Sequence, residues 1–382
     1  MDNIKKHLKK IDFVILLIMV ILVCIGLYCI RQVSILSDDK EGLYTKQLIG
    51  AALGLIMIVV MLFIDYHLLC NLSFVLYIGI LITLTFLLKF GDSTNNVKRW
   101  IVIMGIQFQP SELTKVTLIL FLAFLCNFYK EKLSKFYVFY ILATVTAIPA
   151  MLIILEPHLS SGMALLFIFC VMVYASGISY KIIGTVLAVI IPVAIGIVIS
   201  VTLFNIKLPF IEQYQINRIL TFNSTDENED LSGKYQQNQA LAAIASGGLP
   251  GKMIKEDDST RIYSKIYANE SDFIFSVVGE EFGFIGTSIV IFLYIILIIR
   301  CLIIASHAPD YMGKLICIGV SSLLIFQVFV NIGVASSLLP NTGLSLPFVS
   351  YGVTSLISSM LAVGLVLNIG SRRRNGLAPR NI

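Results

Sequence analysis

The chain has 382 residues, a net charge of +5, 57% hydrophobic residues and only 13% charged ones. Soluble domains carry roughly 25% charged residues, so a soluble globular enzyme is excluded. Apolar runs of membrane length recur from end to end without the alternation of barrel strands, which defines an all-α polytopic membrane protein.

Ten such segments are predicted, at about 11–30, 46–64, 69–88, 111–128, 137–155, 159–176, 181–204, 273–304, 312–339 and 347–369. The first follows a basic start (Lys5, Lys6, Lys9, Lys10), and no small-residue cleavage site follows Leu27-Tyr28-Cys29-Ile30, so a retained helix is expected instead of a signal peptide. The basic tail Arg372-Arg373-Arg374 and the loop lysines Lys130, Lys132 and Lys135 belong in the cytoplasm by the positive-inside rule. Both termini are then cytoplasmic, as an even number of spans requires, and residues 1–382 form a single bundle. The positive charge reflects this topology and does not point to nucleic acid. The seven cysteines show no paired spacing and the four histidines are scattered, so neither disulfides nor a metal cage is expected.

Residues 92–109 form an external stretch with Lys98, Arg99 and Trp100, the chain's only tryptophan; an interfacial anchor is the plain reading. Pro110 suits the first turn of the next helix, where its missing N–H costs nothing. Glu112 and Lys115 follow at i,i+3, either as a mutual ion pair or as the polar wall of an outward cavity whose helix N-terminus suits a phosphate. Glu156-Pro157-His158 lies at the same external level, as a solvated turn or as part of that cavity.

The seventh and eighth predicted helices are joined by a large external loop, about 205–271. It holds Arg218, a fixed cation able to meet pyrophosphate, and an acidic tip, Asp226 to Asp230. A helix-like stretch, Tyr235 to Ser246, shows Leu241, Ile244 and Ala245 on one face and stops at Gly247-Gly248. Asp272, Glu280 and Glu281 then stand at the threshold of an apolar helix, where carboxylates usually face a cavity or a partner. As helical positions, Asp272 and Glu280 would be separated by roughly 12 Å of rise and about 80°. That exceeds the roughly 5–9.5 Å of a glycosidase pair, which disfavours hydrolysis. Asp272 is left as either a helix cap or a single general base. Glu280 and Glu281 read as supports lower in the bundle. The last external turn, Leu339 to Pro347, reads as a tight or re-entrant connection.

Several longer motifs stand in order. They are Arg99-Trp100-Ile101, Gln109-Pro110-Ser111-Glu112-Leu113-Thr114-Lys115, Asn217-Arg218-Ile219 and Tyr235-Gln236-Gln237-Asn238-Gln239. Then come Gly247-Gly248-Leu249-Pro250-Gly251, Asp272 through Gly286, Leu339-Pro340-Asn341-Thr342-Gly343, and Leu346-Pro347-Phe348-Val349-Ser350-Tyr351-Gly352. In these the chain resembles the SEDS family (RodA/FtsW/SpoVE), ten-helix glycosyltransferases that polymerise peptidoglycan.

The resemblance implies that Asp272 deprotonates the GlcNAc 4-hydroxyl of one lipid II. That oxygen attacks a chain carried on undecaprenyl pyrophosphate, without metal or at most with assistance from a divalent cation. The expected substrate-binding set is Arg99, Glu112, Lys115, Glu156, Arg218, Gln239, Glu280 and Ser350. The expected partner is a class B penicillin-binding protein, and the expected location the bacterial plasma membrane with the active site outward.

The chain departs from the family pattern at His158-Leu159-Ser160-Ser161, where Asp-Leu-Gly-Thr is common. It also departs at Asn269-Glu270-Ser271, where histidine and threonine are frequent, and at Val353 in place of a glycine. A lipid II flippase or a scaffold without catalysis are the alternatives.

Overall fold

A computed structural model describes residues 11–36, 40, 42–90, 99–103, 106–156, 158–179, 181–182, 184–185, 233–255 and 261–372. The helices are α1 (Phe13–Ile35), α2 (Leu43–Phe63), α3 (Tyr66–Phe90), α4 (Pro110–Phe128), α5 (Phe136–Leu155) and α6 (Leu159–Ala175). After these come α7 (Gly233–Ser246), α8 (Lys252–Lys255), α9 (Ile274–Ser306), α10 (Tyr311–Ala335) and α11 (Val353–Ser371). Eight are long and apolar enough to cross a membrane: α1 to α5 and α9 to α11; α6 is apolar but shorter. The fold is an all-α polytopic membrane bundle. Most of the predicted segment 181–204, together with the basic start, Arg373, Arg374, Lys98, Arg218 and the acidic tip, lies outside the described residues.

Helices α4, α10 and α11 form the interior, whereas α2 and α3 bury only one side and turn leucine, isoleucine and phenylalanine outward. Outward apolar side chains are what lipid requires of a bundle surface. Helices α2 and α11 pack against each other at Gly54 and Gly364, where a β-carbon on Gly364 would lie 3.3 Å from Met61. Such small-residue contacts let membrane helices approach closely.

One end of the bundle gathers polar links between helix termini. Asp12 caps α1 and pairs with Arg300 at 2.7 Å, Arg372 pairs with Asp65 at 2.7 Å, and His67 bridges Asp65 and Asp310. The basic turn Lys130–Lys132 follows α4 at this same end. The opposite end carries Asp272, the start of α4 and a two-stranded hairpin, β1 (Ile101–Ile103) with β2 (Ile106–Phe108). The hairpin was not expected, because three-residue strands leave too short a period to read.

Three expectations at the Asp272 end need correction. The last helix starts at Val353, not near 347, because Phe348 (φ 69) and Gly352 (φ 153) hold an irregular chain whose apolar Leu346, Phe348 and Val349 are buried. This segment is re-entrant: Tyr294 Oη, ten residues along α9 from Phe284, donates to Pro347 O. On α7 the buried face is Gln237, Ala240 and Ala243, while Leu241 is 44% exposed. Small residues face inward there because Gly247 and Ile244 lie directly against Gly279 of α9.

Third, α9 is not one straight helix. Gly283 has φ 64 and ψ −163, which breaks it. Residues 284–306 still rise about 35 Å, enough for a bilayer core of about 30 Å. Glu280 and Glu281 therefore precede the membrane-length part of α9 instead of lying lower within it.

Candidate active site

Asp272 is not helical. The N-cap of α9 is Phe273 and the first helical residue is Ile274, so Asp272 lies one position outside the cap. What fixes it is its backbone. Three consecutive carbonyls each receive a tertiary hydrogen bond: Glu270 O from Tyr351 N–H (2.8 Å), Ser271 O from Ser350 Oγ (2.6 Å) and Asp272 O from Asn331 Nδ2 (2.9 Å). Asn331 also donates to Leu344 O at 2.7 Å, and Ser350 Oγ accepts from Leu346 N–H at 2.7 Å. The re-entrant segment and α10 thus hold residues 270–272 as one unit. The Asp272 carboxylate reaches along this unit, so near Gly343 that a β-carbon there would sit 3.3 Å from Oδ2.

Upstream, Lys40 Nζ donates to Asn269 Oδ1 (2.5 Å) and Glu270 Oε2 (2.6 Å), tying the α1–α2 connection to the same turn segment. Asn269 Nδ2 in turn donates to Tyr263 O at 2.7 Å. The chain's departure from the family pattern at Asn269-Glu270 therefore has a local partner in Lys40.

Glu280 and Glu281 anchor the end of the large loop. Glu280 is fully buried; it pairs with Lys252 and accepts the N–H groups of Ile262 (2.8 Å) and Tyr263 (2.9 Å). Glu281 accepts from Arg261 Nε (2.9 Å) and Tyr263 Oη (2.8 Å). With both oxygens of Glu280 taken by the loop, the geometry makes it a clamp and not a group presented to a ligand. Gln239 is half-exposed on α7; its neighbour Gln237 is the residue that reaches α10, donating to Val334 O and Leu339 O.

Glu112 and Lys115 pair with each other at 2.6 Å, and both are buried. Ser358 Oγ donates to Glu112 O at 2.9 Å, fastening α4 to α11. Beside them His158 sits in the turn between α5 and α6, with Nδ1 3.4 Å from Gln109 Nε2 and Nε2 3.2 Å from Ser161 Oγ. Burial, then the positive charges of Arg99 and Lys115, push its pKa down to about 3. His158 is therefore a neutral ring at physiological pH. Glu156, two residues earlier, is 1% exposed and burial pushes its carboxyl up to about 8, against the pull of Arg99. Arg99 Nε donates to the Glu156 carbonyl at 3.0 Å.

Buried polar atoms with unspent capacity collect around these residues. Both carboxyl oxygens of Glu156, Ser111 Oγ, Thr342 Oγ1 and Asn331 Oδ1 have no hydrogen-bond partner among the described residues. Buried polar groups are nearly always satisfied, so these atoms have capacity left for water or a polar ligand, and one of them, Asn331, also bonds the Asp272 carbonyl. No three His, Cys, Asp or Glu side chains come together as a metal cage among the described residues.

Sequence reasoning missed Asn331, Lys40, Lys252 and Tyr263. Each acts on a residue at least 17 positions away in the chain, and no spacing signals that.

These features define a class: a multi-pass membrane protein that holds an aspartate on a fixed backbone at one end of the bundle, the end opposite Lys130–Lys132. A family model described as cell cycle protein and covering FtsW, RodA and SpoVE matches residues 10–375, and the chain belongs to that family.

It is 31% identical over 375 residues to the probable peptidoglycan glycosyltransferase FtsW of Geobacter sulfurreducens, covering 96% of this chain and 97% of the relative. It is 30% identical over 378 residues to stage V sporulation protein E of Bacillus subtilis, covering 95% and 98%. Among solved structures, it is similar to a chain described in work on polymerization and crosslinking by a peptidoglycan synthase complex. There the TM-score is 0.77, with 26% identity and 94% and 97% coverage. It also resembles the rod shape determining protein RodA of Thermus thermophilus, with a TM-score of 0.67, 26% identity and 96% and 98% coverage.

Proposed function

We propose that this chain is a peptidoglycan glycosyltransferase that polymerises lipid II, with Asp272 as its general base. The family membership and the relatives named peptidoglycan glycosyltransferases support the activity. The observation that supports the residue assignment is the threefold backbone fixation of 270–272, which holds the backbone that carries the Asp272 carboxylate. A base held within reach of its proton gains from such pre-organisation.

The Asp272 carboxylate takes the proton of the GlcNAc 4-hydroxyl on one lipid II. The freed oxygen attacks the anomeric carbon of the strand linked to undecaprenyl pyrophosphate, forming a β-1,4 bond with inversion. The anomeric carbon–oxygen bond breaks, and the pyrophosphate departs with its electrons. Arg218 and the N-terminus of α4 are the cationic features suited to that leaving charge.

Ten crossings, cytoplasmic termini and an outward site in the plasma membrane complete the reading. Helix α6 ends at the Lys130–Lys132 end and α9 begins at the opposite end, which agrees with the further crossing expected from the apolar segment 181–204. Basic residues at the Lys130–Lys132 and Arg372 end favour placing it in the cytoplasm. The similarity to a synthase-complex chain supports a class B penicillin-binding protein as partner.

Purified protein incubated with labelled lipid II tests this. Polymer is expected from the native chain and none from Asp272→Ala. Translocation of lipid II without polymer would establish a flippase, and full partner activity with Asp272→Ala would establish a scaffold.

A further inference from the structure

Fixing the backbone of 270–272 does not by itself fix the two side-chain torsions that aim the Asp272 carboxylate. The carboxylate meets a second part of the chain, the 341–344 segment. Asn331 Nδ2 ties that segment to the base, since it donates to Leu344 O at 2.7 Å as well as to Asp272 O at 2.9 Å. Gly343 has φ 74, and a β-carbon there would lie 3.3 Å from Asp272 Oδ2, so the missing side chain is what lets the carboxylate lie against the segment.

The same segment is tethered from the turn between α5 and α6. Ser160 Oγ, in the first turn of α6, donates to Thr342 O at 2.6 Å. The His158 ring makes a hydrogen bond to the backbone of Gly343. That bond favours the protonated ring, so the ring N–H donates and the Gly343 carbonyl accepts. Two consecutive carbonyls, the second belonging to the residue that borders Oδ2, are therefore held by two side chains from one turn.

We propose that His158 and Ser160 are positioning residues for the base, holding Thr342-Gly343 against the Asp272 carboxylate and so setting the direction in which it meets its proton. The proposal rests on the glycosyltransferase reading for the reaction it serves. Both residues are buried, so their polar atoms have exchanged water for these bonds. His158 is a neutral ring, and it orients Gly343 without placing a charge near the carboxylate. Both stand at positions where the chain departs from the family pattern, and the two departures converge on one segment.

Full-length protein in detergent with labelled lipid II tests this. Ser160→Ala should lower polymerisation kcat about tenfold with KM nearly unchanged. Gly343→Ala, whose β-carbon would press on Oδ2, should lower kcat by at least as much. Combined in one chain, the two changes should cost less than the product of their separate effects, because both act through the same segment. A readout independent of turnover is the rate at which a small charged methanethiosulfonate modifies the thiol of Asp272→Cys, followed by mass spectrometry. Adding Ser160→Ala should speed that modification about fivefold, as the loss of one hydrogen bond loosens the segment over residue 272. A lower melting temperature with native kcat in Ser160→Ala would reduce the bond to a structural contact and overturn the proposal. A change in KM alone, or equal thiol rates with and without Ser160→Ala, would overturn it as well. No polymer from the native chain would overturn the glycosyltransferase reading, and the thiol rate would then decide by itself whether Ser160 holds the segment over residue 272.

Discussion

Glu280 offers a sharp test of the site's architecture, because two roles for it predict opposite outcomes. Truncation to alanine removes three contacts at once: the Lys252 ammonium and the N–H groups of Ile262 and Tyr263. Lys252 is only 6% exposed, so its charge would stay buried without its partner. Breaking a buried pair in this way costs about 3–5 kcal/mol. The two orphaned N–H groups add about 1–3 kcal/mol each before relaxation and water recover part of it. A net loss of about 4 kcal/mol or more is expected for Glu280→Ala, with the loop around Lys252 and Arg261 opened to trypsin.

The paired change Lys252→Met with Glu280→Leu removes both charges and should recover at least about 2 kcal/mol of that loss, since an apolar pair avoids the stranded cation. Urea unfolding in detergent, read alongside limited trypsin digestion, measures both. If Glu280→Ala abolished polymerisation while stability moved by less than about 1 kcal/mol, Glu280 would face substrate and the clamp would be wrong.

Ser350→Ala leaves Ser271 O and Leu346 N–H without their 2.6 and 2.7 Å partners, which loosens the strand under Asp272. Polymerisation kcat should fall about tenfold or more with KM for lipid II nearly unchanged, as steady-state kinetics would show. His158 is neutral in the folded chain down to about pH 3 but protonates near pH 6.5 when unfolded, so its contribution to stability falls as pH drops below about 6.5. The fall in melting temperature between about pH 7.5 and 5 should therefore be smaller in His158→Gln. Glu156 acts in the opposite sense: its carboxyl stays protonated up to about pH 8 when folded but ionises near 4.3 when unfolded, so stability is lost as pH rises across that window. Glu156→Gln should raise the melting temperature more near pH 8 than near pH 5, and a uniform shift would refute the assignment.

The membrane helices were legible because lipid imposes one rule, a run of apolar residues long enough to cross, and α1 to α5 satisfy it within a few residues. That rule fails at 336–352. Within it Leu344 and residues 346–350 are buried but irregular, and apolar content alone does not separate a buried loop from a helix. It fails again on α7, where hydrophobicity favours burying Leu241 and close backbone approach buries Ala240 and Ala243 instead.

At the site, Asp272 stood out by its carboxylate and its motif. The groups that hold it come from Asn331, Ser350 and Tyr351, 59 to 81 positions further on, and local pattern has no access to pairings of that range. The Glu112–Lys115 pair was legible because its three-residue spacing fixes the geometry within one helix turn.

At the break in α9 the N–H groups of Phe284 and Ile285 are met by Gly248 O (2.8 Å) and Leu249 O (3.2 Å) from the end of α7. A helix that begins after Gly283 would otherwise expose unpaired donors where it enters the bundle. The part of the large loop that follows α7 is thus the cap of a membrane helix. Shortening that loop across 247–251 would uncap the helix, so the length of the loop is set in part by the helix below it.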